Sequence, residues 1–135
     1  RMFTHFHHAS YLVPILDAAI QSYAETFGGR ETGRGIVSGL GEVGFVQVGD
    51  VEIEFIQPED PAGLMGEAAP MLHHVAYAVE DLDRVIADYR SRGYQFATKE
   101  PITNFMGYRL IYLDTAHTHG TRMHFTDAAT LRLTT

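Results

Sequence analysis

The sequence predicts an α+β fold of two βαβββ modules whose curved sheets pair into a cup-like half-barrel. The first observation is an internal repeat, in which residues 7–23 (HHASYLVPILDAAIQSY) align with residues 73–89 (HHVAYAVEDLDRVIADY) at a constant offset. Eight of the seventeen aligned positions are identical, including both histidines. The second observation is that each half has one helical pattern followed by short extended stretches. Similarity of this density indicates two related structural units.

Each half begins with an apolar strand and continues with an amphipathic helix. The predicted first strands are residues 6–13 and 72–79. Asp81 suits the N-cap of the second helix, and Gly28 and Gly93 suit the helix ends. The apolar residues that recur at helical spacing are Leu16, Ile20, Tyr23 and Phe27 in the first half, and Leu82, Val85, Ile86 and Tyr89 in the second.

Three extended stretches complete each half. The hairpin turn at Gly49-Asp50 separates two of them. The predicted strands are residues 30–38, 42–48 and 51–57 in the first half, and residues 94–99, 108–114 and 121–126 in the second. The chain is thus divided into a first module (residues 1–57), a linker rich in Pro, Gly and Ala (58–70) and a second module (71–135), which together form one structural domain.

Composition excludes several classes of function. A chain of 135 residues with 45% apolar and 20% charged residues is expected to form a globular core. The net charge of −7 argues against binding to nucleic acid or to an anionic membrane surface. The lack of cysteine excludes disulfides and thiolate metal ligands. The sequence shows neither a membrane-spanning run nor a signal peptide, so we expect a cytoplasmic protein.

Histidines and one carboxylate recur at equivalent repeat positions. In each His-His doublet only one side chain can face inward, because strand residues alternate between faces. Glu54 lies between two large apolar residues, as does His124 in the last strand of the second half. A histidine or glutamate in an apolar strand is usually a core residue or an outward-facing one. Because both types recur at equivalent positions of the two halves, the pattern favours a binding site for a first-row transition metal ion.

The remaining histidines are predicted to lie outside that site. We expect surface or supporting positions for His5, His7 and His73, and a tag remnant at His5 and His7 remains open. His117 and His119 lie in a predicted turn and are expected to be solvated. The alternative is that one of them reaches the rim of the cup and acts as an acid or a base.

The paired HHxxY…LD…Y units, the strand VEIEFIQP and the segment LHHVAYAVEDLD resemble the vicinal oxygen chelate superfamily, most closely methylmalonyl-CoA epimerases and glyoxalase I-type proteins. The resemblance implies one divalent metal ion (Zn, Ni, Co, Mn or Fe) bound by His8, Glu54, His74 and His124. The fourth ligand is normally a Glu in this family, whereas the segment GTRMHFTD has His124. One carboxylate in place of two makes the site more positive and a stronger Lewis acid.

The resemblance implies a metal-dependent isomerase, epimerase or lyase. It would chelate vicinal oxygens of a small-molecule substrate and stabilise an enolate-like intermediate, with Glu54 as the catalytic base and Glu42, Tyr108 and His119 as weaker candidates. One alternative is an extradiol-type dioxygenase acting on an aromatic substrate, and another is a non-catalytic antibiotic-binding protein. We also expect a homodimer, and the sequence leaves open whether the site is completed within one chain or across two.

Overall fold

The computed structural model describes residues 2–60 and 71–131 and has the βαβββ order twice. The predicted α+β class is confirmed. Among the described residues, no helix is long and apolar enough to span a membrane. The first set of elements is β1 (Phe3–Leu12), α1 (Leu16–Phe27), β2 (Arg30–Val37), β3 (Gly41–Val48) and β4 (Val51–Pro58). The second set is β5 (Met71–Val79), α2 (Leu82–Ser91), β6 (Ile102–Thr103), β7 (Arg109–Tyr112) and β8 (Met123–Asp127).

Contacts divide the chain into two compact units. The first unit is His8–His73, and the second unit combines Arg1–His7 with His74–Thr135. The strands β1 and β5 therefore each contribute residues to both units. Residues 61–70 of the predicted linker lie outside the described residues.

The first unit has the strand order β2-β3-β4-β1, with α1 packed on one face. The pairs β2–β3 and β3–β4 are antiparallel, whereas β1 and β4 are parallel. The predicted turn at Gly49 is confirmed, since Val48 pairs with Val51 across it. The core beneath α1 consists of Val13, Leu16, Ile20, Val46 and Phe55.

Helix α1 begins without a capping side chain of its own. Ile15 occupies the N-cap position and cannot accept a hydrogen bond through its side chain. Instead, the Leu16 N–H donates to Gln57 Oε1 at 2.8 Å, so strand β4 satisfies one of the open donors at the helix start. The predicted stop is confirmed at Gly28, whose φ of 67° is the left-handed conformation that favours glycine.

The second unit repeats this arrangement with the strand order β5-β8-β7-β6. β5 and β8 are parallel, and the other pairs are antiparallel. The Asp81 side chain accepts a hydrogen bond from the Arg84 N–H, which confirms the predicted N-cap of α2. The core beneath α2 consists of Val79, Leu82, Val85, Ile86, Ile111, Leu113 and Phe125.

The predicted strand at residues 94–99 is wrong. This segment forms a single bridge, between Phe96 and Leu113, and the short strand β6 follows it. The Arg90 guanidinium donates to the Lys99 carbonyl, and the Thr98 hydroxyl donates to the Glu100 carbonyl. Both bonds lie in the bend at residues 97–100, which follows the bridge.

Candidate metal-binding site

In the first unit, the sheet face turned away from α1 carries four buried polar side chains. The register pairs His8 with Glu52 and Ser10 with Glu54 between β1 and β4. The helix-packed residues of β4, such as Phe55, alternate with these positions. All four polar residues are at most 7% exposed. Since buried polar groups are costly unless they interact, this face is a candidate functional surface.

His8 and Glu54 are the two predicted ligands of the first unit, and the structure brings them together. His8 Nε2 lies 3.7 Å from Glu54 Oε1. This distance exceeds a normal hydrogen bond. Two ligands of a tetrahedral zinc-like ion lie about 3.4 Å apart at ordinary bond lengths, so the spacing fits shared coordination. The Phe45 ring contacts His8 edge-on, with ring centroids 5.5 Å apart, and restrains the imidazole.

Glu52 is a buried carboxylate beside this pair that the sequence analysis did not single out. The Thr32 hydroxyl donates to Glu52 Oε2 at 2.8 Å. Because Glu52 lies two residues before Glu54 on one strand, both side chains lie on the same face. That alternation was the signal in the sequence that could have identified it.

In the second unit, His74 and His124 lie together on the face turned away from α2. Their ring centroids are 4.9 Å apart, and both residues are buried. Ala76 pairs with His124 in the parallel register of β5 and β8, and its small side chain leaves room for the imidazole rings. The Tyr112 ring lies 4.9 Å from His124 and 5.6 Å from His74, so an aromatic side chain borders both histidines.

A buried hydroxyl orients His124. Thr126 Oγ1 lies 3.0 Å from His124 Nδ1, and Thr126 is fully buried. If Nδ1 donates its hydrogen to Thr126, the Nε2 atom is left with a lone pair for a cation. Metal-binding histidines commonly have such a partner on the other ring nitrogen.

The donor types fit the predicted metal ion. His8, His74 and His124 each offer a ring nitrogen, and Glu54 offers carboxylate oxygens. Three imidazoles and one carboxylate form a set that Zn, Ni, Co, Mn and Fe all accept. The structure therefore has one pair of candidate ligands in each unit, and binding of one ion by all four residues stays a prediction.

The other histidines differ in environment. His5 is exposed, whereas His7 is not at the surface, so of the two positions expected for His7 only the supporting one is left. His7 is buried, and its ring contacts Tyr108 edge-on at 5.4 Å, because this part of β1 packs within the second unit. His117 is exposed, and its Nε2 accepts a hydrogen bond from the Gln95 N–H at 3.1 Å. His119 is also exposed.

Solved structures share this fold. Methylmalonyl-CoA epimerase from Mycobacterium tuberculosis is 20% identical, with a TM-score of 0.83, and the match covers 93% of this chain and 88% of that chain. A selenomethionine methylmalonyl-CoA epimerase is 25% identical, with a TM-score of 0.83 and coverages of 94% and 97%. A variant of the Streptomyces coelicolor epimerase with 2-nitronate-propionyl-CoA is 21% identical, with a TM-score of 0.81 and coverages of 94% and 99%.

Sequence comparison agrees with the resemblance. No curated protein sequence matches the chain significantly. Residues 7–112 match the family model described as the glyoxalase/bleomycin resistance protein/dioxygenase superfamily. This match covers most of the chain and includes three of the four predicted ligands. The chain therefore belongs to the glyoxalase/bleomycin resistance protein/dioxygenase superfamily, as the resemblance to vicinal oxygen chelate proteins predicted.

Proposed function

We propose that this chain is a divalent-metal-dependent isomerase or epimerase that moves a proton on a carbon next to a carbonyl group of a small-molecule substrate. The observation that carries the proposal is the buried pair of His8 and Glu54, whose nitrogen and oxygen atoms are 3.7 Å apart. A second buried pair, His74 and His124, occupies the equivalent positions of the other repeat. Together the two pairs would supply four ligands for one ion.

His8, Glu54, His74 and His124 would together hold the ion. When bound, a divalent ion supplies a Lewis acid that two neighbouring substrate oxygens can chelate and that stabilises negative charge as the substrate loses a proton. The burial of all four residues supports this role, since a site that excludes water strengthens electrostatic interactions.

Glu54 would serve as both a ligand and the base. Its carboxylate oxygen accepts the proton as the substrate C–H bond breaks. Epimerisation requires that the opposite face of the same carbon receive a proton from water or a second side chain, after which Glu54 releases its own proton to solvent. Delivery of the Glu54 proton to a neighbouring atom gives isomerisation. Glu54 is the single carboxylate among the four proposed ligands, so it is the ligand able to accept a proton while the imidazoles stay coordinated.

The substrate class follows from this chemistry. A 2-oxo, 2-hydroxy or acyl-thioester compound offers the acidic C–H bond and the adjacent oxygens. The solved relatives include methylmalonyl-CoA epimerases, which supports a thioester among the candidates. An elimination of the lyase type from the same substrates belongs to this proposal. A homodimer and a cytoplasmic location stay predictions.

The first experiment is elemental analysis of the untagged protein beside His124→Ala, with the exposed His119→Ala as the matched control. We expect about one equivalent of metal in the wild type and in His119→Ala, and a clear loss in His124→Ala. The metal-loaded protein is then incubated in D₂O with compounds of the three classes, and deuterium incorporation is followed by NMR.

Each outcome separates the alternatives. Exchange that depends on bound metal supports the proposal. Iron at the site, with oxygen uptake on addition of a catechol and no deuterium exchange, would instead establish a dioxygenase. A protein that binds no metal even after reconstitution would favour a non-catalytic binding protein.

A further inference from the structure

A cavity of about 390 Å³ lies in the second unit, and the proposed metal chemistry does not use it. Ala97, Thr115 and Arg122 are exposed at its rim, so the cavity is open to solvent. Its volume falls within the range of small-molecule sites, which begins at about 300 Å³. The residues that line it are Ala97, Tyr112, Leu113, Asp114, Thr115 and Arg122.

Tyr112 connects this cavity to the histidine pair of the same unit. It pairs with His124 between β7 and β8, and its ring lies 4.9 Å from the His124 ring and 5.6 Å from the His74 ring. The same residue lines the cavity. A substrate held beside the two histidines can therefore extend across Tyr112 into the cavity.

The strand register sets the direction in which the cavity extends. Arg122 precedes His124 by two residues, and Asp114 follows Tyr112 by two. Strand alternation thus places both charged residues on the sheet face that carries the histidines. Two residues of a strand span about 7 Å. This distance gives room for one ring-bearing substituent between the histidines and the charged end of the cavity.

The lining favours a substituent that is aromatic and uncharged. The Tyr112 ring offers an aromatic surface, and aromatic pairs attract each other beyond what burial of their area provides. Arg122 is a cation and Asp114 is formally an anion, so the formal charges of the lining cancel. A charged substituent would be attracted by one and repelled by the other, and it would also lose hydration that a neutral ring does not have.

We infer that this cavity is the subsite for an uncharged aryl substituent of the substrate, and that Ala97 and Tyr112 determine this specificity. Ala97 has the smallest side chain of the lining and so keeps the cavity open. The inference rests on the proposed function and names its substrate class. The favoured compounds are 2-oxo or 2-hydroxy acids, or their thioesters, with an aryl group next to the chelating oxygens.

Four 2-hydroxy acids that differ at one carbon test this selection. Lactate carries the chelating oxygens alone, whereas 3-phenyllactate adds an aryl ring, 3-cyclohexyllactate a saturated ring and malate a carboxylate. Calorimetry of the metal-loaded wild type should give an affinity about tenfold higher for 3-phenyllactate than for lactate. We expect 3-cyclohexyllactate to bind about threefold more weakly than 3-phenyllactate, and malate to bind no more tightly than lactate.

Two variants assign the effect to the cavity. Ala97→Leu fills it from the exposed rim and should lower the affinity for 3-phenyllactate about tenfold, to that of lactate. Tyr112→Leu removes the aromatic surface and should abolish the preference for 3-phenyllactate over 3-cyclohexyllactate. The matched control is Ala87→Leu on the exposed face of α2, which should behave like the wild type.

Metal content and thermal unfolding are measured on the same samples. Equal affinities for lactate and 3-phenyllactate in a wild type with a full equivalent of metal would overturn the subsite and leave the metal site intact. A tenfold advantage of 3-phenyllactate that persists in folded, metal-loaded Ala97→Leu would overturn it as well. Equal binding of the two ring compounds to the wild type would overturn the aryl selection. A wild type that binds no metal would overturn the proposed function first, and this inference with it.

Discussion

His124 Nδ1 lies 3.0 Å from Thr126 Oγ1, and the two side chains lie on the same face of β8. The contact joins a proposed ligand to a neutral hydroxyl that is itself fully buried. A hydroxyl can accept the Nδ1 hydrogen, and in that tautomer Nε2 carries the lone pair that a metal ion needs. Metal binding through Nε2 would therefore make Thr126 the hydrogen-bond acceptor for His124.

Thr126→Val should weaken metal binding while preserving the fold. Valine has nearly the same shape as threonine but cannot accept the Nδ1 hydrogen. Loss of such a supporting contact typically lowers metal affinity about 10- to 100-fold. Competition with a chromogenic chelator measures the change, and Thr103→Val on the exposed strand β6 is the control. An unchanged affinity would show that His124 is not held as a ligand through this contact.

Glu54→Gln should separate metal binding from proton transfer. The amide oxygen can still coordinate an ion, but the amide is far too weak a base to accept a carbon-bound proton. We expect near-stoichiometric metal with deuterium exchange reduced by at least about 100-fold, the low end for a general base. Metal content and exchange are measured on the same preparation. Exchange at the wild-type rate would assign the base to another residue.

Ser10→Ala should leave the ligand-free protein as stable as the wild type, or more stable by about 1 kcal/mol. The substitution removes a buried hydroxyl that forms no hydrogen bond with a described residue, and its desolvation cost disappears with it. Chemical denaturation measures the free energy of unfolding, with Ser38→Ala as the exposed control. A destabilisation of more than about 1 kcal/mol would show that Ser10 stabilises the fold by a hydrogen bond.

Arg109→Met should raise the pKa of Asp83. The Arg109 guanidinium donates to Asp83 Oδ1 at 2.7 Å, and this hydrogen bond holds the pKa of that carboxyl below its ordinary value. A pKa that is lower in the folded state means that the pair stabilises the fold above the unfolded-state value of about 3.9 and loses this contribution as the pH falls through the folded value.

A carbon-detected NMR titration of Asp83 follows the change. Because Asp83 is largely exposed, solvent screening keeps the effect on stability small. Arg84→Met, on the same helix, should leave the Asp83 titration unchanged. A titration unaffected by Arg109→Met would show that the ion pair does not persist in solution.

The internal repeat made most of the fold predictable. The aligned residues 7–23 and 73–89 cover a strand and a helix in each half, and both pairs of elements form as expected. Residues 94–99 were not predicted correctly from their composition, because the backbone bends after Phe96 and forms only one bridge, with Leu113.

The site was predictable in part. Recurrence in the repeat identified His8, Glu54, His74 and His124, and the structure buries all four. It did not identify Ser10 or Glu52, because neither matches a residue of similar chemistry in the other half. Strand alternation places both residues on the sheet face of His8 and Glu54, but their burial depends on tertiary packing and is seen only in the structure.

The first residues of β1 belong to the second unit, where Phe3 contacts Phe125 and the Thr4 hydroxyl donates to the Ala78 carbonyl. A polypeptide divided between the two repeats would therefore not yield two self-sufficient halves, since the C-terminal fragment would lack part of its own sheet. During synthesis, the second unit must recruit residues translated more than seventy positions earlier. Contacts between residues so distant in sequence slow folding. The C-terminal half of the chain therefore needs the N-terminal residues to complete its own sheet.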